Sequence, residues 1–456
     1  MLIFSRALVG RYIYDNVLVE SRGGVISSVK VSLDRYDVAG FLIPGFVDTH
    51  SHFTSYALSL NRPRLDGIKD LEEALKFVAR RVNEVESEVV VMEGYDDTPW
   101  GRTFNRRDLD RITDRPLILR RVCGHKAVLN TAAIRWLKER YGDIEGLDEE
   151  TGLAVEHLPL NLSKYIVPSE EEVERAIRKA EDLARKLGIV AVGENTKAIY
   201  VRKLVEMDRR GELTLRWRVA VYYSELGEVS DLLDYRSENF RIVGVKEFLD
   251  GSVGARTAAF SFPYGDTGGN GLLLHGDDYL TEVVGKAESL GLGVWFHAIG
   301  DRAIDQALRV IERSRDPSVH RIEHFLFPRN EHYRKAAALR VGISVQPNFT
   351  RRWGRLGSLY HRVVGDAIYW HNRYRTMENL GIRYAFSSDT MPPGPIYGIS
   401  GALYHPVEDE RLTLEEALYR YTAAGADLLG DRDYGTIETG KLALMSVFCP
   451  ECLGRP

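Results

Sequence analysis

The sequence predicts an α/β protein organised around a (β/α)8 TIM barrel. From residue 44 to residue 388, apolar strand candidates alternate with amphipathic helix candidates, which is the pattern of βα units and a parallel sheet. Eight parallel strands joined by crossover helices close into a barrel. The eight strand candidates cover residues 44–50, 189–194, 214–223, 242–249, 293–298, 319–324, 342–346 and 383–388.

Helices are predicted between most of these strands. The first begins at Ser169, which forms a capping box with Glu172 directly after Pro168, and it runs to residue 187. The other helix candidates cover residues 197–208, 279–290, 301–313, 331–339 and 364–380.

Two further segments lie outside the barrel pattern. Residues 1–43 read as short strands, with a hairpin turn at residues 21–24. Residues 61–167 combine helix candidates at 70–86 and 131–141 with strand candidates at 88–93 and 115–122, so we predict an inserted α/β domain after the first barrel strand. The barrel then comprises residues 44–60 and 168–429.

Composition narrows the class of protein. The chain of 456 residues has a formal net charge of -5 and three cysteines, so we expect no nucleic-acid partner and no disulfide framework. No apolar run reaches membrane-spanning length, and the N-terminus lacks the features of a signal peptide. These observations predict a cytoplasmic enzyme with a small-molecule substrate and no membrane partner. The base rate among oligomers favours a homodimer.

Metal-compatible side chains recur at the ends of the predicted strands. His50 and His52 alternate on one strand, so both side chains point the same way and can share an ion. Active sites of such barrels lie at the carboxyl ends of the strands. The other candidates at these ends are Lys246, His297, His324 and Asp389.

Four imidazoles and one carboxylate suit zinc or a neighbouring first-row metal ion, but they are too many for one open catalytic site. We therefore predict two divalent metal ions, one bound by His50, His52 and Asp389 and the other by His297 and His324. An anionic bridge would be needed between them. Lys246 supplies one if carbon dioxide carboxylates it, because the resulting carbamate has an oxygen for each ion.

These residues lie in motifs that resemble those of the amidohydrolase superfamily, and more narrowly of its amidohydrolase-3 (YtcJ-like) branch. The matching segments are residues 44–52, 245–252 continuing to 256–258, 297–301, 321–324 and 387–389. The resemblance runs nearly end to end. It implies a metal-bearing barrel, a β-sandwich domain built from residues 1–43 and 430–456, and an inserted domain with a family-like segment at residues 114–130. It also implies the ligand roles proposed above, including carboxylation of Lys246.

A mechanism follows from this ligand set. A bound metal ion brings the pKa of water toward neutrality, and a second ion polarises the substrate carbonyl. Asp389 is the predicted catalytic residue, taking the proton of the attacking water and passing it to the leaving amine. His125 and Arg256 are predicted to contact substrate, His125 from the inserted domain.

The predicted function is hydrolysis of an amide or related C–N bond in a small molecule. Two alternatives stay open. The same metal barrel supports deamination and ester or carbamate hydrolysis, because a fold does not dictate the reaction. A relative of low catalytic power could instead act as a binding or regulatory protein, although the complete ligand set argues against this.

Two acidic residues beside the histidines have competing interpretations. Asp301 could orient His297 or cap the helix that begins there. Glu323 precedes His324 and should alternate to the other face of its strand, which favours a salt bridge toward the helix layer.

Overall fold

The chain separates into two units, residues Met1–Phe53 with Lys179–Pro456 and residues Thr54–Arg178. The computed structural model describes residues 2–32, 35–60, 62–97, 99–122, 126–155, 157–160 and 162–448. Across these ranges, the helices lack the length and apolar character that a membrane-spanning segment needs. The three-domain boundaries given above stay a prediction.

The first unit begins with strands β1 (Leu2–Val9), β2 (Tyr12–Arg22), β3 (Val25–Val31) and β4 (Val38–Pro44). β1 pairs antiparallel with β2 and parallel with β4, and β2 pairs antiparallel with β3. Gly23 and Gly24 connect β2 to β3 with φ of 58° and 79°. Glycine adopts this left-handed region without strain, which explains the predicted hairpin turn.

The first barrel strand, β5 (Phe46–Ser51), follows β4 after a single residue, Gly45. A Cβ atom on Gly45 would lie 2.3 Å from Cγ1 of Val190, so only glycine fits where the chain passes the neighbouring strand. All six residues of β5 are buried. Gly45 thus fixes the point at which the chain enters the barrel, and this point determines where His50 and His52 lie along the strand.

The second unit contains a five-stranded sheet with helices. Its helices are α1 (Phe53–Ser59), which starts at the unit boundary, α2 (Leu71–Arg81), α3 (Arg106–Asp110), α4 (Thr131–Tyr141), α5 (His157–Leu160) and α6 (Leu162–Tyr165). Its strands are β6 (Val90–Tyr95), β7 (Leu117–Arg121), β8 (Lys126–Leu129), β9 (Leu147–Asp148) and β10 (Leu153–Val155), in the order β6-β7-β8-β10-β9.

Alternate residues of this sheet pack on opposite faces. Val90 and Met92 belong to a cluster with Val78 of α2, whereas Val91 belongs to a second cluster with Ile134 of α4. This period of two is what a sheet covered on both faces requires. The predicted inserted α/β domain is therefore present.

Helix α7 (Glu170–Lys186) carries the predicted capping box. The Ser169 backbone N–H donates to Glu172 Oε2 at 2.8 Å, and the Glu172 N–H donates to Ser169 Oγ at 3.3 Å. Val173 and Ile177 lie buried on one side of the helix, as its amphipathic sequence predicts.

After α7, seven more strands follow β5 in one parallel sheet, β11 (Ile189–Thr196), β12 (Arg216–Tyr222), β13 (Phe240–Phe248), β14 (Gly293–Ala298), β15 (Arg321–His324), β16 (Gly342–Val345) and β17 (Tyr384–Phe386). The strand order is β17-β16-β15-β14-β13-β12-β11-β5, and every neighbouring pair is parallel. Each strand overlaps one of the eight predicted strands. The predicted barrel is confirmed.

Helices lie between and after these strands, α8 (Ala198–Arg209), α9 (Asp277–Ser289), α10 (Asp301–Ile311), α11 (Asn330–Leu339), α12 (Pro347–Trp353), α13 (Leu359–Val364), α14 (Tyr374–Asn379), α15 (Pro395–Leu403), α16 (Leu414–Arg420) and α17 (Ala423–Leu428). One prediction is wrong: residues 364–380 are not one helix. Gly365 and Asn372 have φ of 56° and 45°, and these left-handed residues separate α13 and α14.

The first and last barrel strands meet at a seam. β5 and β17 stand at the two ends of the strand order, so the described strands form no hydrogen-bonded ladder across it. Single hydrogen bonds join the two sides instead. They run from Asp389 N to His50 O at 2.9 Å, from Ser388 N to Asp48 Oδ1 at 2.9 Å and from Thr49 Oγ1 to Phe386 O at 3.1 Å.

The last strand, β18 (Met445–Phe448), pairs antiparallel with β4. The terminal sheet consequently has the order β18-β4-β1-β2-β3, which joins a strand from residues 445–448 to the strands of residues 2–44. Phe4, Val17 and Ile26 form its core together with Ile437 from the returning segment.

A buried ion pair ties the strands to the C-terminal segment. Arg218 Nε lies 2.8 Å from Asp431 Oδ2, and Arg241 also binds this carboxylate. Replacing Asp431 with asparagine leaves two guanidinium groups without their counter-charge. We expect the free energy of unfolding to fall by about 3–5 kcal/mol, measured by urea denaturation. A change below about 0.5 kcal/mol, the range of ordinary surface substitutions, would contradict this prediction.

Candidate metal centre

All six predicted metal ligands lie at the carboxyl ends of barrel strands in the first unit. His50 lies in β5 and His52 directly after it, Lys246 in β13, His297 in β14, His324 at the end of β15, and Asp389 after β17. Each side chain comes from a different position in the chain, and the parallel barrel gathers them at one end.

His50, His52 and Asp389 form the tightest group. Nε2 of each histidine lies 3.3 Å from Asp389 Oδ1, and one ligand atom from each residue lies within 4.8 Å of the others. Burial opposes ionisation of Asp389, but its contacts with the His50 and His52 imidazoles outweigh the effect of burial and hold the pKa of Asp389 well below its usual range. An ionised carboxylate with two imidazoles is a ligand set that zinc prefers.

His297 and His324 form a second group beside the first. Their ring centroids are 4.4 Å apart, and the His324 ring is 4.8 Å from the His50 ring. Burial lowers the pKa of His297 to about 3 and that of His324 well below its usual range. Both rings are therefore neutral near pH 7, which is the form that binds a metal ion.

Each of the four imidazoles has one ring nitrogen beside an oxygen of the protein. Such an oxygen accepts a hydrogen bond from the ring N–H, which fixes the tautomer and leaves the other nitrogen available as a ligand. The pairs are His50 Nδ1 with the Glu323 carboxylate, His52 Nδ1 with Asn195 O at 2.9 Å, His297 Nε2 with Gly251 O at 3.1 Å, and His324 Nδ1 with Gln346 Oε1 at 2.8 Å. His50, His52 and His324 thus present Nε2, and His297 presents Nδ1.

Lys246 is buried, and its Nζ has no hydrogen-bond partner among the described residues. Burial lowers the pKa of this amine to about 8, against the opposing charges of Glu323 and Asp389. An ammonium without a partner is costly inside a protein. A neutral amine is the form that reacts with carbon dioxide, so the chemistry of this position fits a carbamate that bridges two ions.

The predicted salt bridge of Glu323 forms, with Arg321, but the predicted direction is wrong. The carboxylate faces the first ligand histidine, because it accepts hydrogen bonds from His50 and from Arg321 Nε, the latter at 2.9 Å. Alternation fails because the strand ends here: His324 and Phe325 have φ of 72° and 46°, both left-handed. Successive side chains therefore do not point to opposite faces at this position.

Asp301 has neither of its predicted roles. It is the first residue of α10, and its Oδ1 accepts from the Ser261 N–H at 2.8 Å. The carboxylate near His297 is that of Asp250, with Oδ1 3.7 Å from Nε2. Asp250 follows β13 by two residues, so the rule of polar residues at strand ends could have found it.

Of the two residues predicted to contact substrate, the structure describes only Arg256. Arg256 lies in the loop after β13, where its Nε donates to Asp266 Oδ2 at 2.9 Å. His125 lies outside the described residues. Both roles stay predictions.

An apolar wall, which the sequence analysis missed, lies beside His324. The Phe349 ring stacks on the His324 ring at 6.1 Å with an interplanar angle of 13°, and Trp353 contacts Phe349 edge-on at 5.0 Å. Tyr360 extends this wall, 5.8 Å from Trp353. The signal was a helix, α12, that starts two residues after β16 with aromatic residues four apart.

Comparison with known proteins gives consistent matches. The model of the amidohydrolase family matches residues 40–448. A Bacillus subtilis (strain 168) protein named "Putative amidohydrolase YtcJ" is 25% identical over 440 residues, which covers 88% of this chain and 82% of that protein.

Two solved structures agree with the fold over nearly the whole chain. An uncharacterized metal-dependent hydrolase from Pyrococcus furiosus has a TM-score of 0.86 and 28% identity, covering 98% of this chain and 97% of its own. One from Pyrococcus horikoshii OT3 has a TM-score of 0.84 and 26% identity, covering 97% of this chain and 95% of its own.

Proposed function

From the premise that this chain belongs to the amidohydrolase family and is a metal-dependent hydrolase, we propose that it cleaves an amide or related C–N bond of a small molecule with two divalent metal ions, preferably zinc. His50, His52 and Asp389 would hold one ion, and His297 and His324 the other. Lys246, carboxylated by carbon dioxide, would bridge them.

One observation carries this proposal. Each of the four imidazoles, which form two adjacent groups, has one ring nitrogen beside a protein oxygen. The buried amine of Lys246, in β13 next to the strand of His297, has no hydrogen-bond partner in the described part of the chain. In a purely structural cluster, that amine would have a hydrogen-bond partner. Buried groups left without partners are expected where a ligand completes the site.

When bound, the ions would supply Lewis-acid activation of water and of the substrate carbonyl. The residues of the chain have separate tasks. Asp389 is ionised and 13% exposed, so its carboxylate can take a proton from the attacking water and return it to the departing amine. Burial keeps His297 and His324 neutral near pH 7, which is the form that binds a metal ion.

Two alternatives to amide hydrolysis can be tested. Deamination and the hydrolysis of esters or carbamates would use the same ligands. A panel of simple amides, esters, carbamates and aminated heterocycles distinguishes these reactions, because only the compounds of the correct class are turned over. A binding or regulatory protein would turn over none of these. The complete ligand set and its oriented imidazoles support an enzyme.

The first test is metal content, by elemental analysis of protein purified without a metal-affinity tag. We expect two ions per chain, loss of hydrolysis after chelation, and recovery with zinc and bicarbonate. A matched control is His361→Ala, since His361 Nδ1 accepts from the Gly357 N–H at 3.0 Å and belongs to neither ligand group. This variant should retain both ions. A parent that binds no metal even after incubation with zinc and bicarbonate would overturn the proposal in favour of a binding protein.

A further inference from the structure

A completely buried ion pair lies behind the first ligand histidine. Arg321 and Glu323 are two residues apart on β15, so their side chains share one face of the strand. Glu323 is 0% exposed and Arg321 3% exposed. Arg321 Nη2 lies 2.8 Å from Glu323 Oε1, and Glu323 Oε2 accepts from His50 Nδ1. One carboxylate therefore joins a guanidinium to a predicted ligand.

The same guanidinium also holds the backbone next to that ligand. Arg321 Nη2 donates to the carbonyl of Thr49, the residue before His50, at 2.7 Å. The Trp295 ring supports it, with its centroid 3.6 Å from Cζ. Arg321 thus fixes both the strand that carries His50 and the carboxylate that binds the His50 ring.

These contacts cross the interior of the barrel. β15 and β5 are not neighbours, because β16 and β17 stand between them in the strand order. Stability alone does not explain a charged pair in the barrel interior, since apolar residues of similar size are often as stabilising. Orientation of a ligand histidine explains why the pair lies there.

We propose that Arg321 and Glu323 act as one positioning unit for His50: Arg321 fixes Glu323, and Glu323 holds the proton on Nδ1 so that Nε2 faces Asp389. Carboxylates in this position orient the imidazole and increase its basicity toward a metal ion. Neither residue is a predicted ligand, yet the affinity of the centre depends on both. This inference rests on the proposed function and adds two residues to its site.

The test measures zinc affinity directly and needs no substrate. Glu323→Gln keeps the shape and a hydrogen-bond acceptor but removes the charge, and Arg321→Lys keeps the charge but loses the forked contact with Thr49 and Glu323. Competition with a chromophoric chelator gives the dissociation constant of zinc. We expect it to rise about 10–100-fold in Glu323→Gln, with a smaller rise in Arg321→Lys.

Asp431→Asn is the matched control, because it breaks another buried arginine–carboxylate pair of the same unit, whose hydrogen bonds go to Arg218, Arg241 and Tyr434. It should lower stability toward urea and leave the zinc constant unchanged. If Asp431→Asn weakens zinc as much as Glu323→Gln does, the pair is merely structural and the inference is overturned.

The cobalt-substituted protein supplies a second measurement. The visible absorption of bound Co²⁺ reports the geometry of its ligands, and we expect it to shift in both β15 variants but not in the control. Normal zinc binding by the parent, with an unchanged constant and spectrum in Glu323→Gln and Arg321→Lys, overturns this inference alone. No zinc binding by the parent overturns the proposed function and this inference together.

Discussion

Replacing Lys246 with alanine should remove at least one of the two proposed metal ions and lower kcat/KM by more than about 10⁴-fold, beyond the usual cost of one lost acid–base group. The reason is that Lys246 is the only predicted ligand shared by both ions. Without its carbamate, two cations would stand close together with no anion between them. The measurement is elemental analysis beside the turnover of the best substrate from the panel.

Lys203→Ala is the control for burial of a lysine. Lys203 lies in α8 of the same unit, is 8% exposed, and binds Glu206 at 2.6 Å, away from the predicted ligands. It should keep both ions and full activity. A small carboxylate such as acetate should partly restore metal binding to Lys246→Ala, because it fits the space left by the side chain and offers two oxygens. Two ions and normal turnover in Lys246→Ala would exclude the bridged centre.

Replacing Asp389 with asparagine should lower kcat by about 10²–10⁴-fold, the range expected for loss of a positioned proton acceptor. The amide cannot take a proton, and it is also a weaker metal ligand than a carboxylate. The loss should therefore appear in kcat and not only in KM, in contrast with the loss of a residue that merely binds substrate.

Metal content separates the two tasks of Asp389. A variant that retains two ions but loses kcat has lost the proton carrier, and one that loses an ion has lost the ligand. The exposed Asp366, replaced with asparagine, is a matched control and should change neither quantity. An Asp389→Asn enzyme with normal kcat would refute both roles.

The ligand positions could be predicted because they follow from rules that act locally. A period of two marks the strands, and parallel strands carry their carboxyl ends to one face. His50 and Asp389 are 339 positions apart in the sequence, yet the sequence predicts both at the site because each lies at the end of an apolar strand. No knowledge of their contact was needed.

The residues that orient the ligands could not be predicted in the same way. The oxygens beside His52 and His297 belong to the backbone of Asn195 and Gly251, and any residue type supplies such an oxygen. Glu323 was assigned to the wrong face because two left-handed residues end its strand. Local periodicity fails where the backbone departs from regular geometry, and active sites are built at such departures.

Two further features lie outside what periodicity predicts. The substrate contact of Arg256 stays a prediction, and a carboxylate ten residues later in the same loop binds its guanidinium. The helix predicted at residues 364–380 has a continuous apolar pattern, and the break comes from two single residues with positive φ. Neither feature has a signature in hydrophobic periodicity.

The seam between β5 and β17 gives the proposed ion at His50, His52 and Asp389 a second role, which is to link the first barrel strand to the segment after the last one. His50 and His52 stand on one side of this seam and Asp389 on the other, and in the described chain no strand ladder joins the two sides. During synthesis, the first ion could not be captured until the last barrel strand had been made. A metal ion whose free concentration is 1,000 times its dissociation constant would stabilise the closed barrel by about 4 kcal/mol. This free energy is comparable to the loss when a buried ion pair is broken.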